Sequence, residues 1–109
     1  MKLESKFYNE LKRITPKIRW TRLENTSVLG TPDVLGYNSH QHFFTVELKV
    51  TKTNKVRLSP HQISFHILHP ENAFILVKTK AACRLYLGKQ VRELFACGCS
   101  LAPVACGWT

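Results

Sequence analysis

The chain has 109 residues, 44% of them hydrophobic and 21% charged, and sixteen Lys and Arg stand against seven Asp and Glu for a net charge of +9. That length fits one domain with an ordinary core, and the composition excludes disorder, collagen-like repeats and a membrane-spanning helix, since no apolar run approaches ~18 residues. A charge of +9 exceeds the usual ~2–8 of a small soluble domain and is the footprint of a protein that binds a polyanion, nucleic acid before a membrane surface.

In chain order, Leu3, Phe7, Leu11 and Ile14 recur at helical spacing, with Tyr8 beside them. Lys12, Arg13 and Lys17 suit the C-terminal end of this first helix, and Pro16 stops it. Ile18–Leu23 alternates as a strand, and 25–30 reads as loop. Pro32–Tyr37 and Phe43–Val50 form two strands joined by the polar turn Asn38-Ser39-His40-Gln41. Phe44, Val46, Leu48 and Val50 share one face of the second strand, and Thr45, Glu47 and Lys49 the other.

After a polar loop over 51–57, Ser59-Pro60-His61-Gln62 opens a helix, with Ser59 as cap and Pro60 at its first position; Pro70 ends it. Ala73–Lys78 and Arg84–Leu87 are strands, and Lys89–Phe95 is a short last helix. The fold class is therefore α/β, one domain over 1–95 with a central mixed sheet in the order α-β-β-β-α-β-β-α, followed by an unassigned Cys/Gly/Ala-rich tail over 96–109. Phe43, Phe44, Phe65 and Phe74 are expected in the core, and His61, His66 and His69 on the surface or facing the nucleic acid. Leu101, Val104 and Trp108 make the tail a candidate dimerisation element. No secretory signal is recognisable and a cytoplasmic protein is expected (host cytoplasm if viral), so stable disulfides are not. The pair Cys97-Gly98-Cys99 has one intervening residue where zinc ligands usually have two to four.

Asp33 and Glu47 carry the chemistry. Both lie seven residues from His40, so a hairpin symmetric about His40 sets them directly opposite, where like charges repel. A divalent cation bridging the two carboxylates resolves that conflict, and a one-residue slip in register would undo the arrangement. Lys49 points to the same side as Glu47, so that a metal, two carboxylates and an ammonium come together: the parts needed to hydrolyse a phosphodiester.

These residues resemble a known family. Gly30-Thr31-Pro32-Asp33 followed by Glu47-Leu48-Lys49 is similar to the PD-(D/E)XK nuclease signature. Trp20-Thr21-Arg22-Leu23-Glu24-Asn25, the GTPD turn, VELK and Leu58-Ser59-Pro60-His61-Gln62 together resemble the small phage-type VRR-NUC nucleases over about residues 4–87. The resemblance implies a restriction-endonuclease-like core and a Mg²⁺-dependent DNA endonuclease, with Mn²⁺ as substitute, of the kind that resolves Holliday (four-way) junctions as a homodimer. It implies Asp33, Glu47 and the Leu48 carbonyl as metal ligands and Lys49 as catalytic lysine. A glutamate on the first helix is implied as well: Glu4 is preferred and Glu10 is its competitor on that helix, with Glu24, at a strand end before the motif loop, as a third possibility. Gln62 corresponds to a glutamine near such active sites, but Ser59-x-x-Gln62 is also a capping box. Arg19, Arg22, Lys52, Lys55 and Arg57 are the expected phosphate contacts. Alternatives are a nuclease for single-stranded, flap or nicked DNA, a non-catalytic DNA-binding module of the same fold, and a zinc-stabilised interaction domain built on the tail.

Overall fold

A computed structural model describes residues 2–23 and 30–104. Helix α1 (Lys2–Ile14) leads into strands β1 (Arg19–Arg22), β2 (Val34–Tyr37) and β3 (Phe43–Val50). Helix α2 (Pro60–Leu68) crosses to β4 (Ala73–Lys78), β5 (Cys83–Leu87) follows, and a 3₁₀ turn over Gly88–Gln90 runs into α3 (Val91–Cys97). The five strands lie in sequence order, antiparallel throughout except for the parallel pair β3–β4 that α2 connects. This is the mixed-sheet α/β architecture expected from the sequence.

The sheet is covered on both faces. Phe44, Val46 and Leu48 of β3 join Phe74 and Leu76 of β4 against Phe7, Tyr8 and Leu11 of α1. Ile75 and Val77, one residue out of phase on β4, face the other way and pack with Tyr86, Val91, Leu94 and Ile63 beneath α2 and α3. The tail over 98–104 takes part in this second layer: Cys99 is buried in it, and the Tyr86 hydroxyl donates to the Leu101 carbonyl at 2.9 Å. Cys83, Cys97 and Cys99 are free thiols.

Local chemistry sets the ends of the elements. The Thr15 hydroxyl returns to the Leu11 carbonyl at 2.6 Å as α1 stops, and the Trp20 indole N–H donates to Thr15 Oγ1 at 2.8 Å, tying β1 to the helix end. In the β2–β3 turn, Asn38 Oδ1 accepts from the backbone of both His40 and His42 at 3.0 Å, and Gln41 takes the left-handed φ of 65° that closes the loop. This turn fixes the pairing Val34↔Val46, the register that the symmetry about His40 predicted.

Three expectations are corrected. Leu3 and Ile14 are each 56% exposed, because the apolar stripe of α1 is longer than the sheet beneath it and only its middle is covered. Phe43 is exposed at the open end of the hairpin and packs on Tyr37, ring centroids 4.5 Å apart. His66 is fully buried: it projects from α2 against Gly88, whose missing Cβ makes room for the ring, and its Nδ1 bonds the Gln62 carbonyl at 2.8 Å. Burial holds the His66 pKa below its usual value, so the ring is a neutral core group and not a DNA-facing cation.

Gly36 of β2 lies under the Phe44 ring, which meets Trp20 and Phe74 edge to face at centroid distances of 5.6 and 5.7 Å. A Cβ at Gly36 would come within 2.5 Å of Phe44. Gly36→Ala is therefore expected to destabilise the protein by about 1–3 kcal/mol, the usual cost of overpacking, as measured by urea unfolding with an unchanged m-value.

Candidate active site

The site forms where β2 begins and β3 runs on beyond it. Gly30 has φ +84°, and a Cβ there would run into the His61 carbonyl at the start of α2, so the turn before Asp33 is pressed onto that helix. Pro32 is buried beneath it. Asp33 lies one residue before Val34, so continuing the register one step past the Val34↔Val46 pair sets it opposite Glu47. Its Oδ2 accepts the Leu48 N–H at 2.8 Å, and its carbonyl accepts from Leu23 N–H at 2.8 Å, which continues the β1–β2 ladder.

Glu47 is only 3% exposed. Its Oε2 accepts from Gln62 Nε2 at 3.1 Å and lies 3.8 Å from Lys49 Nζ, while its Oε1 is buried without a hydrogen-bond donor. Burial pushes the Glu47 carboxyl up to about 9; the charge of Asp33 and a side-chain hydrogen bond with it add to the rise, Lys49 opposes it, and Glu4 contributes further repulsion. The Glu47 carboxyl thus keeps its proton at neutral pH when no cation offsets these effects.

Gln62 unites the two roles open to it in sequence. The Ser59 side chain accepts from Gln62 N–H at 3.2 Å and Gln62 Oε1 accepts from Ser59 N–H at 2.9 Å, which completes the capping box. The same Oε1 accepts from Lys49 Nζ at 3.0 Å, and Nε2 reaches Glu47. One amide therefore closes the helix end, holds the ammonium and tethers the buried carboxylate.

Glu4, in the first turn of α1, shares a cavity of about 550 Å³ with Lys49, Lys52, Lys55 and Arg57. Lys55 and Arg57 also line a second cavity of about 960 Å³, together with Lys49, Gln62 and, from α3, Phe95 and Ala96. Glu10 points elsewhere: it pairs with Lys78 at 2.6 Å, and that bond and charge hold its carboxyl below the usual range. Glu24 lies outside the described residues. The cations expected to meet phosphate divide into two groups. Lys52, Lys55 and Arg57 stand at the mouth of the site, whereas Arg19 and Arg22 lie exposed on β1 and line neither cavity. Arg22 donates to Ser5 Oγ at 3.1 Å and sits over the Tyr8 ring.

The donor set fits a hard divalent cation. Among the described residues no three Asp, Glu, His or Cys side chains converge to hold a metal, so side chains would supply the Asp33 and Glu47 carboxylates alone. Mg²⁺ is commonly bound in this way, by one or two carboxylates, with water completing its shell. The undonated, buried Oε1 of Glu47 beside a second carboxyl is the polar atom such an ion would satisfy. Sequence did not single out Phe95: it stands four residues after buried Val91 and one after Leu94, a spacing that reads as core, yet it is 56% exposed at the cavity.

Solved structures that this fold resembles include Archaeoglobus fulgidus Hjc, a Holliday junction resolvase from an archaeal hyperthermophile, with a TM-score of 0.63 and 18% sequence identity over 79% of this chain and 78% of that one. No family model and no curated protein matches the chain. The likeness establishes a shared fold, and no helix among the described residues is long and apolar enough to cross a membrane.

Because Glu47 carries its proton from the ordinary value of 4.5 up to about 9 in the folded state, the folded protein binds more protons than the unfolded chain across that interval. The contribution of Glu47 to stability therefore falls as pH rises through it. Urea titrations in EDTA should show Glu47→Gln gaining on wild type with pH, at a slope of order 1 kcal/mol per unit, and levelling off above about 9. A pH-independent difference would show that Glu47 is not the titrating group.

Proposed function

We propose that this protein is a metal-dependent DNA endonuclease of the PD-(D/E)XK type that acts on branched DNA, four-way junctions foremost, as a homodimer; the order of its motifs supports the phage-type VRR-NUC group as the finer assignment. The observation that carries this reading is the convergence of Asp33, Glu47, Lys49 and Gln62 into one hydrogen-bonded cluster at a mouth lined with cations. The fold shared with a protein described as a Holliday junction resolvase supports the choice of substrate. A single cluster per chain cuts one strand, so paired cuts across a junction need a two-fold dimer.

The chain's own groups divide the work. Asp33 and Glu47 with the Leu48 carbonyl would hold Mg²⁺, or Mn²⁺ in its place, which supplies neutralising charge and lowers the pKa of the attacking water. Asp33 is aimed by the Leu48 N–H, so its geometry does not depend on a ligand. Lys49 presents an ammonium whose position is set by Gln62 Oε1 at 3.0 Å, ready to stabilise the negative charge that grows on the phosphoryl oxygens. Glu4 is the carboxylate that lines the cavity beside Lys49 and can accept a hydrogen bond from a water there. Lys52, Lys55 and Arg57 hold the flanking phosphates, and Arg19 and Arg22 can reach a more distant part of the duplex.

Synthetic four-way junctions incubated with protein and Mg²⁺ are expected to receive paired nicks, with none in EDTA. Asp33→Asn and Lys49→Ala are each expected to cut at least about a hundredfold more slowly while binding the junction as wild type does. Folded variants that retain full activity would refute the assignment; single-strand, flap and nicked substrates run in parallel rank the substrate classes. Gln62→Ala removes the cap and the lysine's anchor together. It should lose about 1 kcal/mol of stability in urea and at least tenfold in cutting rate, whereas Ser59→Ala should lose the stability alone.

A further inference from the structure

Resting on the nuclease reading of this site, we propose that Phe95 is a stacking platform for an unpaired nucleobase next to the phosphate to be cut, and that it makes the enzyme select DNA whose bases can leave the duplex stack. Three observations converge on it. Phe95 is 56% exposed on α3, although the chain has a core able to take large rings such as Tyr86 and Phe7. It lines the same cavity, of about 960 Å³, as Lys49 and Gln62, the ammonium and its anchor. Lys55 and Arg57 stand in that cavity too, so a strand whose phosphates follow the cations has a base within reach of the ring.

The chemistry of the two walls selects the occupant. One wall is cationic and the other is an aromatic face, the pairing by which proteins hold single-stranded nucleic acid: charge tracks the backbone and rings receive the bases. A base inside intact duplex is stacked on both sides and cannot offer its face, whereas a base at a junction branch point, a flap or a nick can be displaced at lower cost. The cavity can hold such a base, while the Asp33–Glu47 pair reads no sequence. The position of α3 is itself fixed near this wall, because the Gly98 turn that ends it lies against Asn54 of the basic loop, whose carbonyl accepts the Cys99 N–H at 2.6 Å.

The test places 2-aminopurine at the nucleotide on either side of the cut phosphate, in turn, within a four-way junction, and measures its fluorescence on adding protein in EDTA, where no cutting occurs. Wild type is expected to raise the signal at one of the two positions as the base leaves its neighbours, and Phe95→Ala to abolish the rise. With Mg²⁺, Phe95→Ala and Phe95→Leu are expected to lose about five- to one-hundredfold in kcat/KM on the junction, and Phe95→Tyr to retain most of it. A rise that survives Phe95→Ala, activity of Phe95→Leu equal to wild type, or a loss accompanied by a lower mass in solution, which would make Phe95 an assembly contact, overturns the proposal. If wild type cuts no substrate the nuclease reading fails, and the fluorescence arm, run with 2-aminopurine at each branch-point nucleotide in turn, still decides whether Phe95 receives a base.

Discussion

The structure is organised around two acidic side chains that the backbone forces together. The Asn38 turn sets the β2–β3 register, Gly30 seats the approach to β2 on α2, and Asp33 is thereby delivered opposite Glu47 at a buried point of the sheet. Left alone the arrangement is unfavourable: Glu47 is desolvated, one oxygen lacks a donor, and its proton is held to a pH of about 9. A chain with only seven acids has placed two of them where each raises the free energy of the other. Folding tolerates the conflict because large hydrophobic layers lie on both faces of the sheet, each fully buried Phe, Leu or Ile contributing roughly 1.5–3 kcal/mol. The conflict is then available to whatever cation relieves it.

Gln62 shows how the surrounding fold keeps this site in order. As the third residue of α2 it closes the capping box with Ser59, and the same amide is thereby presented to Lys49 and Glu47. The loop over 51–57 carries the cations, and it is held from behind by the 3₁₀ turn after α3, where Gly98 and Cys99 meet Asn54. The tail is in this way a support for the cationic wall as well as a cover for the second core layer. Charge, cap and tail act on one another through a few short contacts and not through a long pathway.

What could be read in the sequence was local or set by a period. The hairpin register followed from a turn midway between two strands, the start of α2 from Ser59-Pro60 and Gln62, and the division of β3 into an apolar and a functional face from alternation. The misreadings come from long-range packing. Periodicity places Leu3 and Ile14 on the buried stripe of α1, but it cannot tell where the sheet beneath ends. It cannot show that Gly88 opens a hole for His66, or that Phe43 falls at an open hairpin end. Glu4 and Glu10 are alike as helical glutamates; they are separated by Lys78, a residue distant in sequence that takes Glu10. Phe95 was hidden for the same reason, since its spacing from Val91 is that of a core position while the cavity it lines exists only in three dimensions.

The claim at the centre is that Asp33 and Glu47 form one site for a hard divalent ion. Calorimetric titration of Mn²⁺ into the protein, alone and with a junction bound, measures this directly. Saturable uptake by wild type that disappears in both Asp33→Asn and Glu47→Gln is the result predicted. Absence of uptake by wild type under either condition, or uptake undiminished in those folded variants, would contradict it.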